Sequence, residues 1–371
     1  MVYLDYSATT PVSEKVLEED MKYHKLHFAN ANSIHSLGQD VLEDVENVTS
    51  IIKKTLKLNE YEIVYTSGAT ESNNLALKGI AHQYKNIGNH IVTTPLEHGS
   101  ITHVLGALSK EGFDVDVVDV DEFGQIDYDD LKSLLTDQTI LVSVGLVNSE
   151  TGIRQNLEKI REIIKPYPHV LLHSDMTQAI GKICLDYALA DIISLSAHKI
   201  YGFKGIGALL YRKDIQFKPI IHGGHSLSPF RGGTPQSSLI HSLGVSLEEA
   251  YHLFDEKICM IEDVKEYLLD KLKRFDNLHI NSNQYSIPQI INISFEGFDS
   301  IKLQKHLSDH QIFVSTTSAC SSRAGYSDVI KRITGDDNLA KSSIRISLSH
   351  LTTKDEIDLL IEALEVFNES H

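Results

Sequence analysis

The sequence predicts an α/β protein built on a largely parallel sheet. Three observations carry that expectation. Between about residues 60 and 215, seven short apolar runs alternate with helix-like segments: Glu62–Thr66, His90–Thr94, Asp114–Val118, Ile140–Leu146, Val170–His173, Ile192–Leu195 and Gly207–Tyr211. Such alternation marks βα units laid on a parallel sheet. Polar clusters follow the ends of these runs, where open α/β sheets bind their ligands. The chain has 371 residues, 42% hydrophobic and 23% charged, which suits a globular protein with core enough for two domains.

Taken in order, the N-terminus Met1-Val-Tyr-Leu-Asp-Tyr-Ser7 has neither the basic start nor the apolar stretch of a secretory signal. No apolar run approaches the roughly 18 residues of a membrane span, so a cytoplasmic protein is expected. A net charge of −17 argues against nonspecific binding to nucleic acid or anionic membranes. The first run feeds Thr66-Ser-Gly-Ala-Thr-Glu-Ser72 and then a helix through Leu75, Leu77 and Ile80. A small-residue turn at a helix N-terminus offers N–H groups and hydroxyls to an anion. An ordinary Ser/Thr cap fits the same residues, and the Walker pattern is not met.

The second run leads into Thr93-Thr-Pro-Leu-Glu-His-Gly99. His98 is placed there to stack on an aromatic ring or to move protons near neutral pH, with a structural histidine as the alternative. Asn148 follows the fourth run. The fifth ends in His173-Ser-Asp-Met-Thr-Gln178, with Asp175 24 residues before Lys199. A carboxylate at a strand end pairs with a pyridinium nitrogen and keeps it protonated; a helix N-cap is an equal alternative. Gln178, three residues on, would reach the ring's phenolic oxygen.

The sixth run opens into Ser194-Leu-Ser-Ala-His-Lys-Ile-Tyr-Gly-Phe-Lys-Gly-Ile-Gly207. Lys199 sits in a turn among small residues, with Ser196 and His198 suited to an anion. A lysine so placed can condense with an aldehyde cofactor. The glycines of Gly202–Gly207 precede a strand instead of following one, so they are no dinucleotide fingerprint. Farther on, a helical stretch around 239 to 275 carries Leu253, Ile261, Val264, Leu268 and Leu272 and bridges to a C-terminal domain. Arg345 lies in the alternating segment Ser342-Ser-Ile-Arg-Ile-Ser347, where its fork suits either a carboxylate ligand or a cross-strand ion pair. Thr353-Lys-Asp-Glu356 is a capping box for a last helix with Ile357, Leu360, Ile361, Leu364 and Phe367 on one face.

The three cysteines are too few for a disulfide framework. Cys184 and Cys259 read as small buried hydrophobes, whereas Cys320 sits in the polar, loop-like Ser315–Gly325. His222-Gly-Gly-His225 lacks a third ligand, and no metal is expected.

Together these segments resemble the NifS/IscS-type cysteine desulfurases, pyridoxal-phosphate enzymes of the class V aminotransferase superfamily. The likeness rests on Leu4–Pro11, Thr66–Ser72, Val147-Asn148, Asp175–Gln178, the Ser-x-His-Lys turn, Arg231–Pro235, Ser318–Cys320 and Ser342–Arg345, in family order. It implies the fold-type I architecture of pyridoxal-phosphate transferases. A large domain (15–250) would carry a mostly parallel seven-stranded sheet. Residues 1–14 and 251–371 would form a smaller α+β domain with the cysteine loop.

The resemblance also implies roles. Lys199 would hold pyridoxal 5'-phosphate, and Ala69, Thr70, Ser196 and His198 would bind its phosphate with Thr234 from a second subunit of a homodimer. Asp175 would pair with the ring nitrogen, Gln178 and Asn148 would face the ring oxygen, and His98 would stack on the ring. Arg345, Asn148 and Asn30 would hold the carboxylate of L-cysteine. Lys199 would move protons, with His98 as a second acid/base group, and Cys320 would be the nucleophile. The sulfur would pass to an acceptor protein, a scaffold or a tRNA thiolase, for iron–sulfur cluster, tRNA-thiolation or other sulfur-cofactor synthesis. A transaminase has no use for a thiol on such a loop. Three segments depart from the family pattern: Ala29-Asn-Ala31, Gly223–Pro229, and the residues after Cys320.

Overall fold

The computed structural model describes residues 1–224, 226–316 and 325–369; Ser318, Ala319 and Cys320 lie outside the described residues, as does His225. Each of the seven apolar runs is a strand. After a short N-terminal strand, β1 (Val2–Tyr3), come β2 (Tyr61–Thr66), β3 (His90–Thr93), β4 (Asp114–Val117), β5 (Thr139–Ser143), β6 (Leu171–Asp175), β7 (Ile192–Ser196) and β8 (Gly207–Arg212). These seven form one sheet in the order β2-β8-β7-β6-β5-β3-β4. Its pairs are parallel from β7 to β4, and β8 runs antiparallel to both its neighbours.

Both faces of the sheet are covered, which is why its central strands read as continuous apolar runs. Successive residues point to opposite faces. Ile193, Leu195 and Leu210 join one core cluster, and Ile192, Leu209 and Tyr211 join another. The second cluster is closed by α3 (Ala69–Tyr84) and α4 (Gly99–Lys110), which follow α1 (Glu14–Leu26) and α2 (Ser36–Thr55) in the chain.

The C-terminal part has its own antiparallel sheet, with β9 (Leu278–Ile280), β10 (Ile290–Phe295) and β12 (Ser343–Ser347) in the order β12-β10-β9. β11 (Ile312–Phe313) pairs in parallel with β1. A third cluster joins Val2 and Leu4 to Ile261, Leu268, Ile293, Ile346 and Ile357. The first residues of the chain are therefore packed into the last hundred or so. Among the described residues no helix is long and apolar enough to cross a membrane.

Three expectations need correction. The stretch from 239 to 275 is two helices, Ser237–Tyr251 and Phe254–Leu272, broken where Leu253 takes a left-handed φ of 51° and turns out to solvent. Cys259 is exposed, because Ile261, Val264, Leu268 and Leu272 form the buried stripe of its helix and 259 lies off it. Cys184 is exposed too, in an irregular stretch between Lys182 and Asp186 instead of a strand. The C-terminal capping box is reciprocal: Thr353 N–H donates to Glu356 Oε2 at 3.0 Å and Glu356 N–H to Thr353 Oγ1 at 3.3 Å.

Candidate active site

A cavity of about 390 Å³ opens beyond the carboxyl ends of β5, β6 and β7, where a parallel sheet presents its loops. Lys199 enters it from a single turn, Ala197–Lys199, directly after β7. Its ammonium donates to the carbonyls of Ser7 at 2.5 Å and Ala8 at 2.7 Å. The segment 4–10 is a strap across the site. Leu4 O accepts from Ser347 N–H, and Thr10 donates its N–H at 2.9 Å and its hydroxyl at 3.1 Å to His198 O. No pattern in the sequence assigned these carbonyls a role.

Asp175 closes β6. Thr177 N–H donates to its Oδ1 at 3.0 Å, and no helix follows, so the N-cap alternative is not met. Its Oδ2 accepts from Asn73 Nδ2 at 2.8 Å. Asn73 is fully buried on α3 and also donates to Ser100 Oγ at 2.8 Å; Ser100 Oγ lies 2.8 Å from His98 Nδ1. Sequence reasoning missed Asn73 and Ser100, although Asn73 is three residues from Thr70 and so on the same helix face. His98 is the N-cap of α4, its Nδ1 accepting from Ser100 N–H at 3.2 Å. Burial, with Lys199 nearby, holds its pKa below the usual histidine value.

The amide of Gln178 is pinned at both ends. Its Nε2 donates to Ser7 O at 2.9 Å and its Oε1 accepts from Lys182 Nζ. Lys182 is buried, and desolvation drives its pKa well below the ordinary lysine value. Glu97, beside His98, accepts from Thr94 Oγ1 and Gly145 N–H, both at 2.8 Å. Burial pushes its pKa up to about 7. Neither Lys182 nor Glu97 carried a signal in the sequence.

The residues present fit a phosphorylated pyridoxal. Gly68 is the N-cap of α3 and supplies no side-chain cap, so the first N–H groups of the helix face the cavity at Ala69 and Thr70. The Ser/Thr-cap alternative is thereby not met. Gly68 has φ 147°, and a Cβ on Gly207 would lie 2.6 Å from Gly68 Cα, so both positions must be glycine for the cradle to close. Ser196, His198 and Lys204 line the same end. His198 hydrogen-bonds Thr9 Oγ1 through Nδ1 at 3.2 Å, and burial lowers its pKa to about 4. An anion cradle, a carboxylate for a ring nitrogen, an amide donor and a lysine amine thus surround one volume.

Arg345 reaches the opposite wall. It is 1% exposed on β12, and its Nη1 donates to Ser149 O at 2.8 Å while Nη2 pairs with Asp5 Oδ1 at 2.7 Å. Its buried Nε makes no hydrogen bond. The ion-pair alternative is therefore met, with Asp5 as a partner 340 residues away. Asn148 lines the cavity, but its Oδ1 is filled by Glu150 N–H, Thr151 N–H and Thr151 Oγ1, and Nδ2 donates to Leu96 O. One amide hydrogen is left, so Asn148 can act on a ligand only as a donor.

Two predicted residues do not line this cavity. Asn30 is exposed and folds back to accept from Asn32 N–H at 2.9 Å. Thr234 is exposed in the loop between Gly233 and Pro235, beside a separate hollow. Cys320 lies outside the described residues, but its flanks are tied to the site. Ser315 pairs backbone to backbone with Arg345, and Ser327 Oγ donates to Glu150 Oε2 at 2.6 Å.

A match to the family described as aminotransferase class-V spans residues 2–360. The cysteine desulfurase IscS of Dictyoglomus turgidum is 36% identical over 369 residues, covering 98% of this chain and 93% of that protein. A solved NifS-like protein superposes with a TM-score of 0.93 at 32% identity, over the whole of both chains. SspA, solved in complex with cysteine, is similar over 95% of this chain and all of its own, with a TM-score of 0.80 and 29% identity.

Proposed function

The chain belongs to the class-V aminotransferase family, and on that premise we propose that it is a pyridoxal-phosphate-dependent cysteine desulfurase, releasing L-alanine from L-cysteine and passing the sulfur on. One observation carries the reading: Lys199, Asp175, an open helix N-terminus and buried Arg345 converge on a single cavity. The full-length likeness to proteins named for this activity supports it.

When bound, the cofactor supplies an aldehyde for an amine and a ring that accepts electrons from the substrate's α-carbon. The protein's own groups do the rest. The N–H groups of Ala69 and Thr70, with Ser196 and His198, hold the phosphate. Asp175, kept as an acceptor by Asn73 and Thr177, holds a proton on the ring nitrogen. Gln178 presents Nε2 toward the ring oxygen, because Lys182 occupies its Oε1. Arg345 receives the substrate carboxylate through the donors that Asp5 and Ser149 leave unused. Lys199, seated on two carbonyls beside the cavity, takes the α-proton and returns protons later.

Cys320 is the nucleophile in this proposal. Its thiolate attacks the substrate sulfur, a sulfur–sulfur bond forms as the carbon–sulfur bond breaks, and the persulfide stays on Cys320. The described residues on either side of it are held in the fold, Ser315 against Arg345 and Ser327 against Glu150. The finer parts of the proposal are a cytoplasmic homodimer lending Thr234 across its interface and an acceptor in iron–sulfur or tRNA-thiolation chemistry. The division into 15–250 against 1–14 with 251–371 is supported by the separate C-terminal core cluster. The test is release of sulfide and alanine from L-cysteine with a reductant, for wild type, Cys320→Ser and Lys199→Ala. Equal amounts from wild type, lost in both variants, support the reading. Normal turnover by Cys320→Ser overturns the nucleophile.

A further inference from the structure

We propose that a small polar cavity behind Lys199 binds ordered water, held by Ser7, Lys182 and Gln289, and that through it the Lys199 amine exchanges protons with solvent. The water site follows from geometry alone. The part given to Lys199 rests on the desulfurase reading.

The cavity, about 40 Å³, shares Ser7 and Lys199 with the active-site cavity, so these two residues form the wall between them. Tyr201, Lys257 and His350 in turn line both this cavity and a wider hollow of about 270 Å³. That hollow is bordered by exposed Pro11, Glu14 and Leu351. The three spaces thus lie in series, from the active site to the surface.

The polar groups of the small cavity call for a ligand. Ser7 is 2% exposed and Gln289 4%, and neither Ser7 Oγ nor Gln289 Oε1 has a hydrogen-bond partner. Turning the Gln289 amide does not relieve this. Its other end lies 2.8 Å from the Lys182 carbonyl and must be the nitrogen, because a carbonyl only accepts. Buried polar groups are almost always paired, and buried water is the usual partner where the protein supplies none. Lys182 adds a donor. It too is buried, its Nζ donates to Gln178 Oε1, and as ammonium or amine it keeps at least one further N–H.

This set of donors and acceptors selects water over an ion. Lys182, Lys199 and Lys257 line the cavity, and among the described residues no carboxylate does, so a cation is repelled. An anion is drawn to the lysines but leaves the Gln289 carbonyl facing a second acceptor. Water donates to Gln289 Oε1 and Ser7 Oγ and accepts from Lys182 Nζ. Three polar partners are typical of a buried water, and the volume holds at least one.

Substrate bound in the active-site cavity displaces water from that side of Lys199. The small cavity keeps water on the other side. Lys199 gives one hydrogen of its ammonium to this water and takes another back, with no net change of charge. A hydrogen removed from the substrate's α-carbon is therefore exchanged before Lys199 returns a proton.

Two measurements test this. In crystals of the protein grown with bromide in place of chloride, ordered water is expected within hydrogen-bond distance of Gln289 Oε1 and Ser7 Oγ, with no anomalous bromide signal. A dry cavity, or bromide inside it, overturns the water site. The second measurement follows deuterium from the α-carbon of L-cysteine into alanine, in ordinary water. Wild type should lose nearly all of the label. Ala250→Val narrows the cavity, and Gln289→Met removes its unpaired acceptor with little change in volume. With the route closed, the three hydrogens of the ammonium share one label, so about a third of it or more should reach alanine. Label loss unchanged in every variant that turns over cysteine, or a wild type that itself keeps the label, overturns the route. Failure of wild type to release alanine would sink the desulfurase reading and leave the crystallographic result standing.

Discussion

Replacing Asp5 by asparagine isolates the most deeply buried ion pair beside the cavity. Arg345 is 1% exposed in its side chain and Asp5 19%, and a single 2.7 Å contact joins Nη2 to Oδ1. Removing one partner of a buried pair outright costs about 3–5 kcal/mol, since the remaining charge is left uncompensated. Asparagine keeps an acceptor at the same place, so only the charge assistance is lost. That is the difference between a hydrogen bond to a charged group, about 1.5–3 kcal/mol, and a neutral one of about 1 kcal/mol. Asp5→Asn should therefore destabilise the fold by about 0.5–2 kcal/mol, or roughly 1–3 °C in Tm for a chain of this size.

The effect on substrate has the opposite sign. With Asp5 neutral, the guanidinium is less satisfied in the empty enzyme and more attractive to an incoming carboxylate. KM for L-cysteine should fall, or stay within about threefold, while Arg345→Lys, which loses the fork, raises it about tenfold or more. Thermal unfolding and KM from alanine release, measured on the same preparations, check both halves. A KM that rises tenfold in Asp5→Asn with an unchanged Tm would refute the reasoning, because Asp5 would then be aiming the guanidinium and not neutralising it.

Further changes probe other walls of the site. Lys182→Met removes a desolvated amine of similar length, so Tm should hold or rise, while the freed Gln178 amide should weaken pyridoxal-phosphate binding about fivefold, the worth of one hydrogen bond; equilibrium dialysis against the cofactor reads this. Gly207→Ala drives a Cβ to 2.5 Å from Leu195 O and 2.6 Å from Gly68 Cα. Pushing the end of α3 off the sheet should cost about 1–3 kcal/mol and abolish cofactor binding. Glu97 gives a pH signature. Its folded pKa, about 7, is raised above the unfolded carboxyl value, so the folded state holds the extra proton. Stability is then greatest below the unfolded value of about 4.3 and declines as pH rises toward 7, at up to about 1.4 kcal/mol per unit. Cofactor-free Glu97→Gln should lack this decline in a Tm-against-pH series, and a parallel decline in both proteins would count against it.

Local pattern explains what was legible in the sequence, and distance along the chain explains what was not. Strands β2, β3 and β5 to β8 announced themselves because burial makes each a short apolar run with a polar exit, whereas β4, an exposed edge strand, showed only as alternating Asp and Val. Lys199 and Asp175 stood out for the same reason, each lying just past such a run. Periodicity found the buried stripe Ile261–Leu272, yet it ran the two helices around Leu253 together, because one left-handed residue leaves no mark on an apolar count. It also placed Cys184 and Cys259 inside by residue type, although side chains between buried positions point outward.

The groups that tune the site were hidden by topology. Asp5 meets Arg345 across 340 residues and Asn73 meets Asp175 across 102, and neither contact repeats at a helical or strand period. Both are hydrogen-bond partners of residues the sequence did reveal. A buried polar group must be paired, so a chain that shows its Lys, Asp, His and Arg also implies partners it does not name. The fold supplies them from the strap at 4–10 and from the N-terminal halves of α3 and α4, which places the adjustable part of this chemistry in the residues that hold the conspicuous ones.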